Sequence, residues 1–314
     1  MSIKNLQQKI LKLKKKKDVT ILAHYYQSIE IQEIADYLGD SLGLSRIVKD
    51  KITSEYVIFA GVLFMAETAS VLNQDKHILM PNKEAGCSLA DFLTPEIVFE
   101  YKKRYPGLPV VTYVNSTAAV KAVSDISCTS SNAVKIVKKI SRDFNVDKVL
   151  FGPDSNLADY TEQKSNIKTI KMPKNGHCAV HSQITSADVI NSKNRYPNAL
   201  VLVHPECKRE VRDLAYFVGS TAQMYNRVKS SQSDEKKFII GTECGMLERM
   251  AKDFPDKDFF LLKDEITCLD MKKNTLSQIE YLLNNLDNKK YEVKIPPNIA
   301  EQALNPINKM LEYS

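Results

Sequence analysis

Tryptophan is absent from the 314 residues, and glycine is scarce at 10. No Gly-x-Gly-x-x-Gly run follows a strand-like segment, and there is no P-loop. Two common phosphate cradles are thereby excluded. No apolar run approaches the roughly 18 residues that suggest a membrane-spanning helix. The N-terminus lacks a charged-then-apolar signal pattern, so a cytoplasmic protein with no membrane contact is the expectation. Cysteines number 6, too few for a disulfide scaffold, and none stands in a Cys-x-x-Cys pair. A local zinc ribbon and a thioredoxin-type site are excluded, and no short loop gathers three cysteines as in a radical S-adenosylmethionine enzyme. Any metal site must be assembled from distant segments.

Charge is not lopsided: 44 Lys and Arg face 38 Asp and Glu, a net +6. Much of the excess lies in Lys12, Lys14, Lys15, Lys16 and Lys17. That run reads as the C-terminal end of a first helix, where cations suit the dipole. No aromatic residues interleave with it, so no nucleic-acid partner is expected. Hydrophobic residues make up 43% and charged residues 26%, an ordinary globular balance. The length exceeds what one growing core supports, so two or three domains are expected.

An internal repeat organises the chain. Cys87, Cys178 and Cys268 are spaced by 178 − 87 = 91 and 268 − 178 = 90 residues. Each follows a short strand-like run. Other landmarks keep nearly the same period: His24, Tyr113 and His204; Ser41, Ser130 and Ser220; Gly61, Gly152 and Gly241. In the first unit a helix from Asn5 to Lys16 leads into the strand Val19–Ala23. A helix from Ile31 to Leu38 follows, and another begins at Ser41. The strand Tyr56–Ala60, a helix from about Phe64 to Leu72 and a last strand complete the unit. Short β-branched strands alternating with helices imply parallel sheets. The expected fold is α/β, with three similar αβα domains around a pseudo-threefold axis. Residues 1–92, 93–184 and 185–275 form the repeats. Residues 276–314 form a C-terminal helix and tail packing back on the first repeat.

Ligands of parallel sheets bind beyond the carboxyl ends of strands, where these landmarks fall. A single free cysteine is usually a small core hydrophobe. That suits Cys128, Cys207 and Cys244, which have no counterparts in the other units. It suits Cys87, Cys178 and Cys268 poorly, because the period selects them. Three thiolates favour soft metals, either zinc or an iron–sulfur cluster. With zinc, a His or water would complete the set. With a cubane, one iron would stay open to substrate as a Lewis acid. His24 with Tyr26, Tyr113 with Asn115, and His204 with Glu206 are alternating pairs at strand ends. Together they read as a pocket lining rich in acids and bases. Ser41, Ser130, Ser220 and Thr221 begin helices. Capping alone would explain them, and anion binding at the helix N-terminus adds to it. His181 follows Cys178 by three residues and is placed to contact ligand or cluster. His77 and His177 are read as structural.

The motifs themselves resemble the quinolinate synthase family, the A proteins of de novo NAD biosynthesis. The resemblance rests on Ala23-His24-Tyr25-Tyr26-Gln27, Gly39-Asp40-Ser41, Ala85-Gly86-Cys87, Thr112-Tyr113-Val114-Asn115 and Cys128-Thr129-Ser130-Ser131-Asn132-Ala133. It continues in Cys178-Ala179-Val180-His181, His204-Pro205-Glu206-Cys207, Gly219-Ser220-Thr221 and the run from Cys268 to Leu276. It implies a [4Fe-4S] cluster held by Cys87, Cys178 and Cys268, with one iron free as Lewis acid. The implied reaction condenses iminoaspartate with dihydroxyacetone phosphate to quinolinate, releasing phosphate and water. By position, His24, Tyr26, Tyr113, Asn115, His181, His204 and Glu206 match the family's active-site residues. Ser41, Ser130 and Thr221 match groups that hold carboxylates or phosphate, and Ser220 adjoins them. The resemblance also allows a transient contact with L-aspartate oxidase. Some members carry Cys-x-x-Cys-x-x-Cys at the third cysteine. Leu262 and Glu265 stand there in this chain, so no disulfide switch is implied.

Overall fold

The computed structural model describes residues 2–314, and it contains three four-stranded sheets flanked by helices. The first unit comprises α1 (Ile3–Lys16), β1 (Val19–His24), α2 (Ile29–Gln32), β2 (Tyr37–Gly39), α3 (Ser41–Asp50), β3 (Tyr56–Ala60), α4 (Leu63–Leu72) and β4 (His77–Leu79). The second has α5 (Pro95–Arg104), β5 (Val110–Tyr113), α6 (Ala118–Ala122), β6 (Ile126–Cys128), α7 (Ala133–Phe144), β7 (Lys148–Gly152), α8 (Ser155–Ser165) and β8 (Lys168–Lys171). The third repeats the order with α9 (Ser186–Arg195), β9 (Leu200–Val203), α10 (Arg209–Arg212), β10 (Phe217–Val218), α11 (Thr221–Lys229), β11 (Lys237–Gly241), α12 (Cys244–Asp253) and β12 (Asp258–Leu261). Two further helices follow, α13 (Leu276–Asn284) and α14 (Pro297–Glu312).

Strand order is the same in each sheet: β2-β1-β3-β4, β6-β5-β7-β8 and β10-β9-β11-β12, all parallel. Inner strands such as Val57-Ile58-Phe59 are apolar on both faces and fully buried, as a parallel sheet covered by helices requires. The edge strand β2 departs from expectation. The Ile31–Leu38 segment is a helix only to Gln32, and Tyr37–Gly39 is a strand. Ile31, Ile34 and Leu38 mimic helical spacing, and a three-residue strand is too short to show a period of two.

Helix entry is set by side-chain caps. Thr94, Thr185 and Thr275 each accept a backbone N–H at the start of α5, α9 and α13. Each stands seven residues past its cysteine (94 − 87, 185 − 178, 275 − 268). The helix α13 is therefore the leading helix of a unit that goes no further. Its Ile279, Leu282 and Leu283 pack with Ile10 of α1 and Ile21 and Ile58 of the first sheet. In α14, Ala303, Ile307 and Met310 pack on Leu42 and Val71 of the first unit and Ala118 of the second. The largest core is also shared, with Leu22, Val57 and Phe59 meeting Val111, Val149 and Phe151. The third unit has cores of its own, around Val201, Val203 and Ile239 on one face and Leu202, Phe238 and Ile240 on the other.

Close approach explains one glycine of the repeat. A Cβ at Gly152 would lie 1.9 Å from the carbonyl oxygen of Met172, whereas at Gly61 its nearest neighbour is a Phe59 ring atom at 2.8 Å. Gly152→Ala should therefore cost at least about 1–3 kcal/mol in urea unfolding, and Gly61→Ala clearly less. Equal losses would show that the backbone around Met172 yields as easily as a side chain.

Candidate functional site where the three sheets meet

In every sheet the first strand lies between the second and the third, which leaves a crevice at its carboxyl end. From those crevices come His24 and Tyr26, Tyr113 and Asn115, and His204 and Glu206. All six line one cavity of about 310 Å³. Ser41, Ser130, Thr221 and His181 line it too, as do Cys87, Cys178 and Cys268. Ser220 does not reach it: its hydroxyl accepts Gln223 N–H as the cap of α11 and lies 3.4 Å from Asp40 Oδ2. Ser41 and Thr221 are the first residues of α3 and α11. Ser130, expected to open a helix, sits one turn ahead of α7. There Asn132 Oδ1 accepts Thr129 N–H at 2.7 Å, and that local turn delays the helix to Ala133. Gly39-Asp40-Ser41-Leu42-Gly43 has the spacing of a nucleophile elbow. Among the described residues, however, no histidine is hydrogen-bonded to Ser41, so the geometry gives it no activating base.

The cysteines occupy equivalent loops. Each leads into a single 3-10 turn, Ala90–Phe92, His181–Gln183 or Met271–Lys273. The first residue of each turn aims its backbone N–H at the sulfur and works to hold the thiol pKa down. Burial is the larger effect. It pushes Cys87 up to about 12 and Cys268 up to about 11, and it raises Cys178 as well, where Glu206 adds to it. Thiols this buried are poor free nucleophiles. Three of them beside N–H donors suited to thiolates make a donor set for a soft metal, whose binding displaces the protons. Of the other cysteines, Cys128 and Cys207 are core residues as expected, but Cys244 is only half-buried at the start of α12.

A carboxylate lies between two histidines. Glu206 Oε2 is 2.7 Å from His181 Nδ1 and 3.3 Å from His204 Nδ1. The two rings stack with centroids 4.5 Å apart. His204 Nε2 reaches Ser130 Oγ at 3.2 Å, and His181 Nε2 reaches Thr242 Oγ1 at 2.8 Å. Burial would raise the Glu206 carboxyl, but the charges and hydrogen bonds of His204 and His181 together hold it below the usual carboxylate range. Among the described residues its Oε1 has no partner, nor has Asn115 Oδ1. Two orphaned acceptors among the cavity's lining residues suit a ligand bearing N–H or O–H groups. Tyr26 donates its backbone N–H to His24 Nδ1 at 3.1 Å, and its hydroxyl meets Thr242 Oγ1 at 2.6 Å. Burial raises both Tyr26 and Tyr113 well above the ordinary phenol, so each carries its proton. Cys178, His181 and Glu206 also place ligand atoms within 4.8 Å of one another.

Three participants escaped the sequence reading: Asp154, Thr242 and Glu243. Asp154 Oδ2 accepts the N–H of Cys178 at 3.1 Å, and Glu243 Oε1 that of Cys268 at 3.2 Å. Both acids stand two residues past a landmark glycine (154 − 152, 243 − 241), where the first unit has Leu63. That recurrence was the available signal. His77 pairs with Glu292, and His177 bonds Asn175 O, both outside the cavity lining.

A buried pocket of acids, bases and thiols walled by three α/β units is the site of an enzyme that works on small molecules. The quinolinate synthetase A protein family model matches residues 8–312, and the chain belongs to that family. It is 46% identical to the quinolinate synthase of Thermotoga maritima over 304 residues, covering 96% of this chain and 98% of that protein. It is 47% identical to the Clostridium kluyveri quinolinate synthase over 302 residues, 96% of each chain. The Pyrococcus abyssi quinolinate synthase is 44% identical over 307 residues, 98% of this chain and 99% of its own.

Burial, with His204 and Lys272 nearby, pulls His24 from 6.5 down to about 3. The folded chain therefore leaves His24 neutral until pH about 3, while the unfolded chain protonates it near 6.5. Stability should fall as pH drops below about 6.5, by roughly 1.4 kcal/mol per unit from this group, and level off near pH 3. Urea unfolding of wild type and His24→Gln at pH 7 and pH 5 should show the smaller loss in the variant. Identical losses would refute the depressed histidine.

Proposed function

We propose that this chain condenses iminoaspartate with dihydroxyacetone phosphate to quinolinate, with release of one phosphate and two waters. The observation that carries the reading is one cavity lined by Cys87, Cys178 and Cys268 together with His24, Tyr26, Tyr113, His181, His204 and Glu206. The three cysteines would hold a [4Fe-4S] cluster, and their thiol chemistry and inward N–H groups fit it. When bound, the cluster supplies a Lewis-acid iron at an open coordination position. The remaining work falls to side chains of this chain.

Ser41 and Thr221 begin helices whose N-termini favour anions, so phosphate or carboxylate belongs at that end of the cavity. Ser130 and Asn115 line the same cavity from the second unit. Enolisation of dihydroxyacetone phosphate needs a base. Glu206 Oε1 is ionised and unpartnered, with Oε2 held by the two histidines, and fills that role. Tyr26 and Tyr113 keep their protons and serve as acids for departing oxygens. His24 is neutral, its Nδ1 taken by the Tyr26 backbone N–H, and it lines the cavity as a hydrogen-bonding group for substrate. The enzyme works in the cytoplasm, where L-aspartate oxidase would supply iminoaspartate. No helix among the described residues is long and apolar enough to cross a membrane.

Cys178, His181 and Glu206 also form a set that zinc would accept, and this supports a second reading as a zinc enzyme. Anaerobic purification with metal and sulfide analysis separates the two. About four irons and four sulfides per chain, lost in Cys87→Ala, Cys178→Ala and Cys268→Ala alike, is the expected result. Stoichiometric zinc that survives Cys87→Ala would overturn the cluster and favour the second reading. Glu206→Gln should keep its iron and lose at least about 100-fold in turnover. Near-normal turnover would remove Glu206 from proton transfer.

A further inference from the structure

Glu243 has no solvent exposure, yet its carboxylate is fully used. Oε2 accepts the N–H of Gly245 at 2.7 Å, and Oε1 accepts that of Cys268 at 3.2 Å. Lys272 brings Nζ to 2.9 Å from Oε1. The same Nζ donates to the backbone carbonyl of Tyr26 at 2.7 Å. One ammonium thus joins the third unit's cysteine loop to the loop of the first unit that carries Tyr26. At its other end Tyr26 is gripped by the third unit too, through Thr242 at 2.6 Å and Thr221 at 3.3 Å. Thr242 is the immediate neighbour of Glu243. Asp154 plays the same part toward Cys178, at 3.1 Å, and among the described residues no lysine pairs with it. Among the described residues, the only acidic side chain ion-paired with Lys272 is Glu243, whereas the adjacent Lys273 pairs with Asp270.

We propose that Glu243 and Lys272 are positioning residues, a buried latch that sets Tyr26 and the Cys268 loop together across the first and third units. A hydrogen-bonded ion pair with one partner buried is costly to break, because the carboxylate is left without its counter-charge. Loss of Lys272 frees the Tyr26 carbonyl and leaves Glu243 to hold Cys268 alone. Both the acid and one cysteine ligand then lose registration. The proposal rests on the function given above, and its test separates the two.

Lys272→Met, Lys272→Arg and Lys273→Met are compared with wild type as anaerobically purified full-length enzyme. In Lys272→Met the fold and the iron content should be kept. The value of kcat should fall about tenfold with little change in KM for dihydroxyacetone phosphate, and iron should pass to a chelator several-fold faster. Lys272→Arg should restore most of both, and Lys273→Met should match wild type. After removal of any iron, maleimide labelling of Cys268, read by peptide mass spectrometry, should be several-fold faster in Lys272→Met. Wild-type kcat, iron release and labelling in Lys272→Met would overturn the latch, as would a lowered melting temperature with all three unchanged. If wild type itself holds no iron and makes no quinolinate, the proposed function falls, and the labelling rates still decide for or against the latch.

Discussion

Glu206 carries its carboxylate to a place that water hardly reaches, with His181 and His204 as compensation on one oxygen only. A charge so placed costs several kcal/mol if left alone, and neighbours within reach must answer it. The two histidines do so by stacking and turning the same ring nitrogen toward it. The phenols and the thiol around it answer by keeping their protons, and the Asp154 carboxyl is pushed upward. After burial itself, Glu206 is a cause that raises Asp154, Tyr113, Cys178 and Tyr26. One ionised group among several protonated ones is what acid–base chemistry needs, since each proton has a defined starting place. The ring partners of the histidines, Thr242 and Ser130, come from two different units. The electrostatic balance therefore depends on the three sheets being assembled.

The repeat supplies positions, and divergence supplies chemistry. At one backbone position stand His24, Tyr113 and His204; two residues on stand Tyr26, Asn115 and Glu206. At these two positions no unit alone has an acid, a base and an amide. The residue after next from the strand-ending glycine differs likewise, as Leu63, Asp154 and Glu243. Among the described residues, only the second and third cysteine loops are tied by an acidic side chain.

Much of this was legible in the sequence because it recurs at nearly fixed spacing. The three cysteines, the strand-end pairs and the strand-ending glycines define the units without any structure. Less legible were features too short to show a period. The edge strands have three, three and two residues, and Ile31, Ile34 and Leu38 imitate a helix across one of them. The expected start of α7 is displaced by Asn132, whose side chain satisfies Thr129 before the helix can begin. Asp154 and Glu243 were missed for a different reason. Their first-unit counterpart is apolar, so the recurrence is partial. Ser220 occupies the right place in the repeat, but it turns its hydroxyl to its own helix and to Asp40 rather than to the cavity. Capping geometry of that kind is set by tertiary packing, which spacing does not report.

The distribution of the cysteines also orders events during synthesis. Cys87 and Cys178 leave the ribosome while the third wall of the cavity is still unmade, and the apolar core shared by the first two sheets is completed later by Met271 and Val293. The third sheet folds around cores of its own and arrives with Cys268 near its end. Domains emerging from the N-terminal side can fold as units before the rest is made. The cavity is then the last thing to exist. Whatever fills it must enter a chain that is already almost whole, because α13 and α14, which cover the first sheet and bridge the first two units, are also made after Cys268.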